Sequence, residues 1–326
     1  FNSLSEVLQY ESNIQIREDN VLGSSVRIQG MSGENVKVLI DDMPIIGRLN
    51  GNIDLSQINL SNVEQIEIVE GPLSVSYGTN ALAGTINIIT KKELTKTVNV
   101  NFNTFYETVG RYNFDLFFGY QLKNNTFSFE GVRNYFSGWS ENDKFSLIPR
   151  EEIADTNRFK SWKPKEQIYS KLQHYFKNQQ FTSRTYLNYF YEKVTNRDRP
   201  NKPYYDIAFD EYYHTNRINF GSDISYLKDG KKIDLLLGVN SYKRFKNTFR
   251  KNLISLEEKL SQDPSSHDTT FFNLTKLKMM FSSIKNKKFT YQAGFDFENE
   301  SAKTYLFCCN LNIPKFLKIK EITKKE

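Results

Sequence analysis

Pairs of adjacent carboxylates such as Asp41-Asp42 and Glu151-Glu152 are residues whose type and spacing suggest acid–base chemistry. Paired carboxylates do such work when their surroundings split their proton affinities. Both pairs fall in turn- or loop-like sequence, where neighbouring acids are ordinarily solvated, and neither has a nucleophile or base beside it. Ser170 and His174 come nearest to a nucleophile–base couple. Four residues apart on an extended strand, they share a face but stand beyond hydrogen-bond reach, because a strand rises about 3.4 Å per residue. The histidines His174, His214 and His267 are scattered without metal-ligand spacing. Cys308-Cys309 offers neither a disulfide framework nor a zinc pattern. The chemistry-bearing residues therefore point away from catalysis, and the expectation is a protein that is not an enzyme and carries no cofactor or metal.

The elements that hold these residues are strands. The 326 residues are 38% apolar, with 26 Phe and 19 Tyr bringing aromatics to 14%. Mean hydropathy is −0.58, and no apolar run approaches the roughly 18 residues of a spanning helix. That excludes a helical membrane protein but not a membrane β-barrel, in which every second residue faces a polar interior. The formal charge of +6 comes mostly from Lys spread through turns and loops, which reads as solvated loop charge. A nucleic-acid-binding β protein would need exposed aromatics on a sheet flanked by Arg and Lys, so no nucleic-acid partner is expected. Phe1 is not an initiator Met and no basic start precedes an apolar run. The expectation is that any leader has been removed or was not included.

Ser3-x-x-Glu6 opens a short apolar pattern, a capping-box start for a helix. Short strands follow around 14–16, 26–29 and 36–40, broken at Gly30, Gly33 and Asp42-Met43-Pro44. Ser61-x-x-Glu64 predicts a second brief helical turn, before an alternating strand at 66–69 that Gly71-Pro72 stops. Another alternating strand, 85–90, ends at Lys91-Lys92.

Four segments of this region occur in a telling order: Val26-Arg27-Ile28-Gln29-Gly30, Val38-Leu39-Ile40-Asp41-Asp42-Met43-Pro44, Ile66-Glu67-Ile68-Val69-Glu70-Gly71-Pro72, and the run from Tyr77-Gly78-Thr79-Asn80 to Asn87-Ile88-Ile89-Thr90. Together they resemble the plug domain of TonB-dependent outer-membrane receptors. The resemblance is detailed over residues 1–92 and architectural over 97–302. Two departures stand out. Asp42 occupies a position where the family usually has Gly, a substitution that turn geometry tolerates. Glu70 precedes Gly71-Pro72 where the family often has Arg. It reverses a charge that tends to meet barrel carboxylates, so plug–barrel pairing is expected to differ in detail.

From Val98 the period becomes two. Tyr112, Phe114, Leu116, Phe118 and Tyr120 alternate with Asn113, Asp115, Gly119 and Gln121, with Phe117 an exception. Phe289 to Phe297 repeats the pattern, and Leu235, Leu237 and Val239 oppose Asp234, Gly238 and Asn240. A one-residue slip would turn carboxylates outward, so the register is firmly set. Tight links at 121–125, 177–180, 227–231 and 284–288 alternate with long ones near 136–166, 192–212 and 246–268. Outer-membrane barrels place short turns in the periplasm and long loops outside. The fold class expected is mainly β: a small α+β plug domain (1–92) followed by antiparallel transmembrane β-barrel strands (97–302), an incomplete barrel of about nine strands, and an irregular basic tail (303–326). Nine strands cannot close around a plug, and an open edge in lipid is costly. A fragment, or a truncated non-transporting remnant, is therefore also expected.

The resemblance implies a receptor and active transporter in the bacterial outer membrane. It would import a scarce nutrient complex of the ferric siderophore, haem or cobalamin class, with outer-membrane lipid around it and the TonB energising complex of the inner membrane as partner. It also implies ligand contacts at plug apices, here Arg48, Leu49 and Asn50 after Gly47, and Tyr77, Thr79 and Asn80. Arg27 and Glu70 are expected to make plug–barrel contacts. Tyr204, Tyr205, Tyr212 and Tyr213 are candidates for the outer vestibule. The alternative of another class is an outer-membrane barrel hydrolase built on a Ser/His pair.

Overall fold

The computed structural model describes residues 4–325, leaving out 20, 22, 48–51, 72–80, 95, 142–154, 156–157, 284–290 and 309–314. For 34 and from 305 onward it describes the backbone alone.

The chain begins with a five-residue helix, α1 (Leu4–Leu8), whose first and last leucines are fully buried one turn apart. Three strands follow as an antiparallel sheet, β1 (Ile14–Asp19), β2 (Gly23–Ile28) and β3 (Met31–Ser32). Gln29 and Gly30, both at positive φ, form the two-residue turn between Ile28 and Met31, as a tight hairpin requires. The second sheet has the order β5–β4–β7–β6, from β4 (Val36–Ile40), β5 (Met43–Pro44), β6 (Val63–Glu70) and β7 (Gly84–Thr90), with β4 and β7 parallel. Its hairpin turn is Asp41-Asp42, at φ 51° and 65°. A left-handed residue with a Cβ costs about 1–2 kcal/mol. Asp42 offsets this by accepting from Asn87 Nδ2 at 2.9 Å while its own N–H donates to Asn87 Oδ1 at 3.2 Å. The departure from Gly at this turn is thus accommodated by a side-chain pair. Apolar residues from α1, both sheets and the 52–58 segment form one core, with Ile28, Leu55, Ile86 and Ile88 almost fully enclosed.

The rest is one antiparallel wall. Its strands are β8 (Val98–Glu107), β9 (Arg111–Leu122), β10 (Asn125–Phe136), β11 (Lys165–Lys177), β12 (Phe181–Arg197), β13 (Ile207–Lys228), β14 (Lys231–Asn252), β15 (Glu258–Leu260), β16 (Asp268–Ser283), β17 (Gln292–Cys308) and β18 (Lys315–Lys325). Ten of them run in sequence order from β8 to β18, and the short β15 pairs only with β14. Among the described residues neither β8 nor β18 pairs with a further strand, so the barrel is open. Where about nine strands and an irregular tail from 303 were expected, β17 continues to Cys308 and β18 pairs with it. Lys-rich strands lose the apolar alternation that marks a strand in sequence, and their backbone pairing survives that loss.

The wall is inverted relative to a soluble sheet. One row of register partners, Phe118, Phe129, Leu172, Leu187, Phe220 and Val239, crosses six consecutive strands with every side chain exposed, from 37% to 55%. The neighbouring row on the other face, Glu130, Lys171, Asn188, Asn219 and Asn240, is polar throughout, and all but Asn219 are buried. An apolar face this extensive is unsustainable in water and is what a barrel shows to lipid. The alternation expected from sequence is therefore present with its apolar side outward.

Two sequence expectations need correction. Ser61-x-x-Glu64 does not start a helix: Ser61 and Asn62 form a turn and Glu64 lies in β6. The cause is local, because Ser61 N–H and Oγ–H both donate to Asn59 Oδ1 (3.1 and 2.9 Å), an Asx turn that competes with helix. The connections expected at 192–212 and 246–268 are shorter, since strand takes 192–197 and 207–212 of the first and 246–252 and 258–260 of the second, and β13 and β14 each run 22 residues. A spanning strand needs only about 9–11, so both project well beyond an apolar layer. Replacing Leu187, which is 45% exposed, by Arg would be near neutral in a soluble protein. Here Leu187→Arg is expected to cost about 2–4 kcal/mol, measured by urea titration of the protein folded into lipid vesicles.

Candidate functional site at the plug–barrel seam and mouth

The inner face of the wall carries charge, and the plug carries the charges that meet it. Asp41, 3% exposed in the β4–β5 turn, accepts from Thr90 N–H (2.9 Å) and Thr90 Oγ–H (2.7 Å) within the plug. Arg184 Nη1 of β12 lies 2.8 Å from its Oδ1, and Lys171 Nζ of β11 lies 3.9 Å from its Oδ2. Lys171 also donates to Thr90 Oγ1 at 2.9 Å. Arg184 in turn pairs with Asp223 of β13 through Nε (2.7 Å) and Nη2, and both cations lie over the Tyr186 ring. Burial alone raises the Asp41 carboxyl, but Arg184, Lys171 and the two Thr90 bonds outweigh it and hold the acid below its ordinary value.

A second cluster ties β4 to the late strands. Lys37 donates to both oxygens of Glu298 on β17 at 3.1 Å, and Lys276 on β16 reaches Glu298 at 3.0 Å. A third joins the 54–57 segment to β11, β12 and β13. Gln57 Nε2 donates to Glu192 (3.0 Å), Gln167 Nε2 to Glu192 (2.7 Å) and to Ser56 O (3.1 Å), and Arg217 Nη2 to Gln57 O (3.2 Å). Lys165 stands 3.8 Å from both Asp54 and Glu192. Between the charged clusters an apolar contact sets Met43 and Ile46 of the plug against Tyr186, Leu236, Tyr242 and Leu274 of the wall. Gly47, at φ 108°, lies so close to the Tyr242 ring that a Cβ would fall 2.4 Å from it.

At the end of the wall where the long connections lie, the plug and barrel part to leave a cleft of about 250 Å³. Glu18, Asp19, Ser24 and Ser56 line its plug side. Arg111, Asn134, Phe136 and Lys165 line its wall side, with Trp162 and Lys163 from the 137–164 connection. An adjoining cavity of about 290 Å³ shares Glu18, Asp19 and Ser24 and adds Arg17, Arg27, Asn52 and Asp54. Among the described residues Ser24 Oγ is buried without a hydrogen-bond partner, as is Arg27 Nε. Charges of both signs beside aromatic rings suit a polar, charged small molecule rather than an apolar one.

The predicted apex residues Arg48, Leu49, Asn50, Tyr77, Thr79 and Asn80 lie outside the described residues. Arg27 lines the cavity just described. Glu70 accepts from Asn13 and Gln29, both plug residues, at 3.3 Å. Of the vestibule tyrosines, Tyr204 is 64% exposed, and Tyr205 packs on Ala208 and Leu253. Tyr212 meets Phe249 edge-on, and Tyr213 donates to Glu211 at 2.9 Å under Arg244. His174 is stacked on Phe127 with Nε2 2.9 Å from Asn125, an outward-facing aromatic contact rather than a partner for Ser170. The seam residues Lys171, Arg184, Asp223, Glu192 and Glu298 were missed in the sequence. Their signal was charge on the polar parity of barrel strands, which only the register turns into a cluster.

A plug-like α+β domain held by ion pairs against an inverted, open β wall defines a plugged-barrel fold. Residues 1–85 match the TonB-dependent receptor plug domain, and the chain as a whole has the fold of those receptors. It is similar to the FrpB iron transporter from Neisseria meningitidis (14% identity over 93% of this chain and 46% of that one, TM-score 0.67). It is similar also to the ferric yersiniabactin uptake receptor FyuA from Yersinia pestis (12%, 100% and 58%, 0.60) and to the ferric-catecholate import receptor Fiu from E. coli K12 (12%, 100% and 63%, 0.56). The chain thus spans 46% to 63% of the length of these three structures.

Breaking a buried pair by removing one partner costs about 3–5 kcal/mol. Asp41→Asn is expected to loosen plug docking by that order, read as faster hydrogen exchange across 36–44. Because the folded Asp41 is shifted down from 3.8, its contribution is complete above that value and is lost as pH falls through the lower folded value. Protection of 36–44 should hold from neutral pH to about pH 4 and fall below it, and Asp41→Asn should shrink that acid limb to the part left by the Lys37–Glu298 pair.

Proposed function

We propose that this chain is part of an outer-membrane receptor that takes up a ferric chelate, with the TonB complex of the inner membrane supplying the energy. The observation that carries the reading is the joint one of a lipid-type outer face and a plug fixed inside it by three buried charge clusters. A filled barrel conducts nothing passively, so import through it requires the plug to be rearranged by work from outside the membrane. The iron and ferric-complex transport of the similar structures supports the choice of cargo. The mouth cleft is the ligand site we favour, with Arg111, Lys163 and Lys165 facing the acidic groups of the chelate and Trp162 and Phe136 its planar parts. Outer-membrane location and the absence of substrate chemistry belong to the same proposal.

The test is ligand binding by the receptor containing this chain, with ferric catecholate, ferric hydroxamate, ferric citrate, haem and cobalamin each offered as probe. One probe should bind, and Lys165→Ala and Trp162→Ala should each weaken it about tenfold (about 1.4 kcal/mol) without changing the heat-modifiable migration of the folded barrel. Failure of every ferric probe, or binding indifferent to both substitutions, would sink the reading.

A further inference from the structure

The outward face is not uniformly apolar. Above the exposed row that includes Leu172 and Leu187, toward the long connections, one row of register partners places Arg133, Lys243 and Lys303 on the outer side, with Tyr191 and Phe271 between them. The next row adds Lys193 and Glu166. Across these two rows from β10 to β17, four cations stand against one carboxylate, and Glu321 of β18 is the register partner of Lys303. Glu166 is taken by Arg133, at 2.7 and 3.0 Å.

Two of the remaining three cations, Lys193 and Lys243, are held over rings. Lys193 Nζ lies 5.2 Å from the Tyr212 ring centre, and Lys243 Nζ lies 5.4 Å from Phe245 and 5.3 Å from Phe271. Among the described residues, no carboxylate forms an ion pair with Lys193 or Lys243. From strand spacing and rise the two lysines stand roughly 12 Å apart across the wall. A cation stem lying on an aromatic surface with its ammonium at the edge of an apolar layer is placed where lipid headgroups begin. There the described residues leave Lys193 and Lys243 without a neutralising anion.

We propose that this cation-and-ring band is a docking surface for a phosphate-bearing lipid of the leaflet that faces the long connections. This rests on the membrane location proposed above. Lys193 and Lys243 take the phosphates, Arg133 flanks them through its Glu166 pair, and the acyl chains lie along the exposed row below. Charge complementarity selects the anionic headgroup, and continuity with the apolar face selects a lipid over a free phosphate.

The experiment uses the receptor containing this chain in neutral detergent micelles, with bis-phosphorylated lipid A and its dephosphorylated form as probes. The phosphorylated lipid should bind at least tenfold tighter. Lys193→Gln with Lys243→Gln should remove that preference. The double Arg variant at the same positions should keep it, which separates lost charge from a damaged fold. Lys228→Gln with Lys231→Gln, at the opposite end of the wall, should leave it unchanged. Equal binding of the two lipids, an unaltered preference in the Gln variant, or an equal loss in the Lys228/Lys231 control would each overturn the inference. Binding of the ferric probe, measured on the same preparations, separates that failure from failure of the receptor reading.

Discussion

A cation taken out of water must find a counter-charge within a few ångströms, and in this protein part of that counter-charge belongs to a different domain. Arg184 points inward from the wall and meets Asp41 at 2.8 Å. At an effective dielectric of about 20, unit charges 4 Å apart attract by about 4 kcal/mol, enough to matter and too little to offset complete desolvation without further bonds. Those bonds are supplied by Thr90, Asp223 and Lys171. Without the plug Arg184 would keep only Asp223, and Lys171 would lose both Asp41 and Thr90. The plug's sharp turn at Asp41-Asp42 exists where it does because the acid must project from it.

Much of the plug was legible in the sequence because its signals are local. Gln29-Gly30 and Asp41-Asp42 sit between β-branched runs, and Ile66 to Val69 and Thr85 to Thr90 alternate over most of their length. The Ser61 to Glu64 pattern misled because a capping box and an Asx turn share residue types, and Asn59, two positions upstream of Ser61, decides between them. The wall was legible in period and in the sense of its loops. It was not legible in its ends. β13 and β14 carry polar and charged residues over their upper halves, so alternation fades while the ladder continues.

The candidate site was hidden for a different reason. Lys171, Arg184, Asp223 and Glu298 are separated by as many as 127 residues, and each reads alone as an ordinary polar position on a barrel strand. Only pairing places Lys171 beside Asn188, and Arg184 opposite Asp223. Asp41 was visible as half of a carboxylate pair, but the chemistry it suggested by itself was catalytic. Its environment gives it a different role. Two cations and two hydroxyl or amide donors keep it ionised, the opposite of what a proton donor at neutral pH requires.

The distribution of the three seam clusters also constrains how the plug can be displaced. Asp41 and Thr90 fasten the β4–β7 sheet to β11 and β12, Lys37 fastens the same sheet to Glu298 of β17, and Gln57 with Ser56 fastens the following segment to β11, β12 and β13. Breaking all three at once would leave several buried charges unpaired, at about 3–5 kcal/mol for each broken pair, a total comparable to the whole stability of a domain. Breaking them one after another lets water enter and solvate each opened pair before the next is strained. The Asp41 and Arg184 side chains are sealed from water at 1% and 4% exposure, so a force on the plug meets strong resistance at β12.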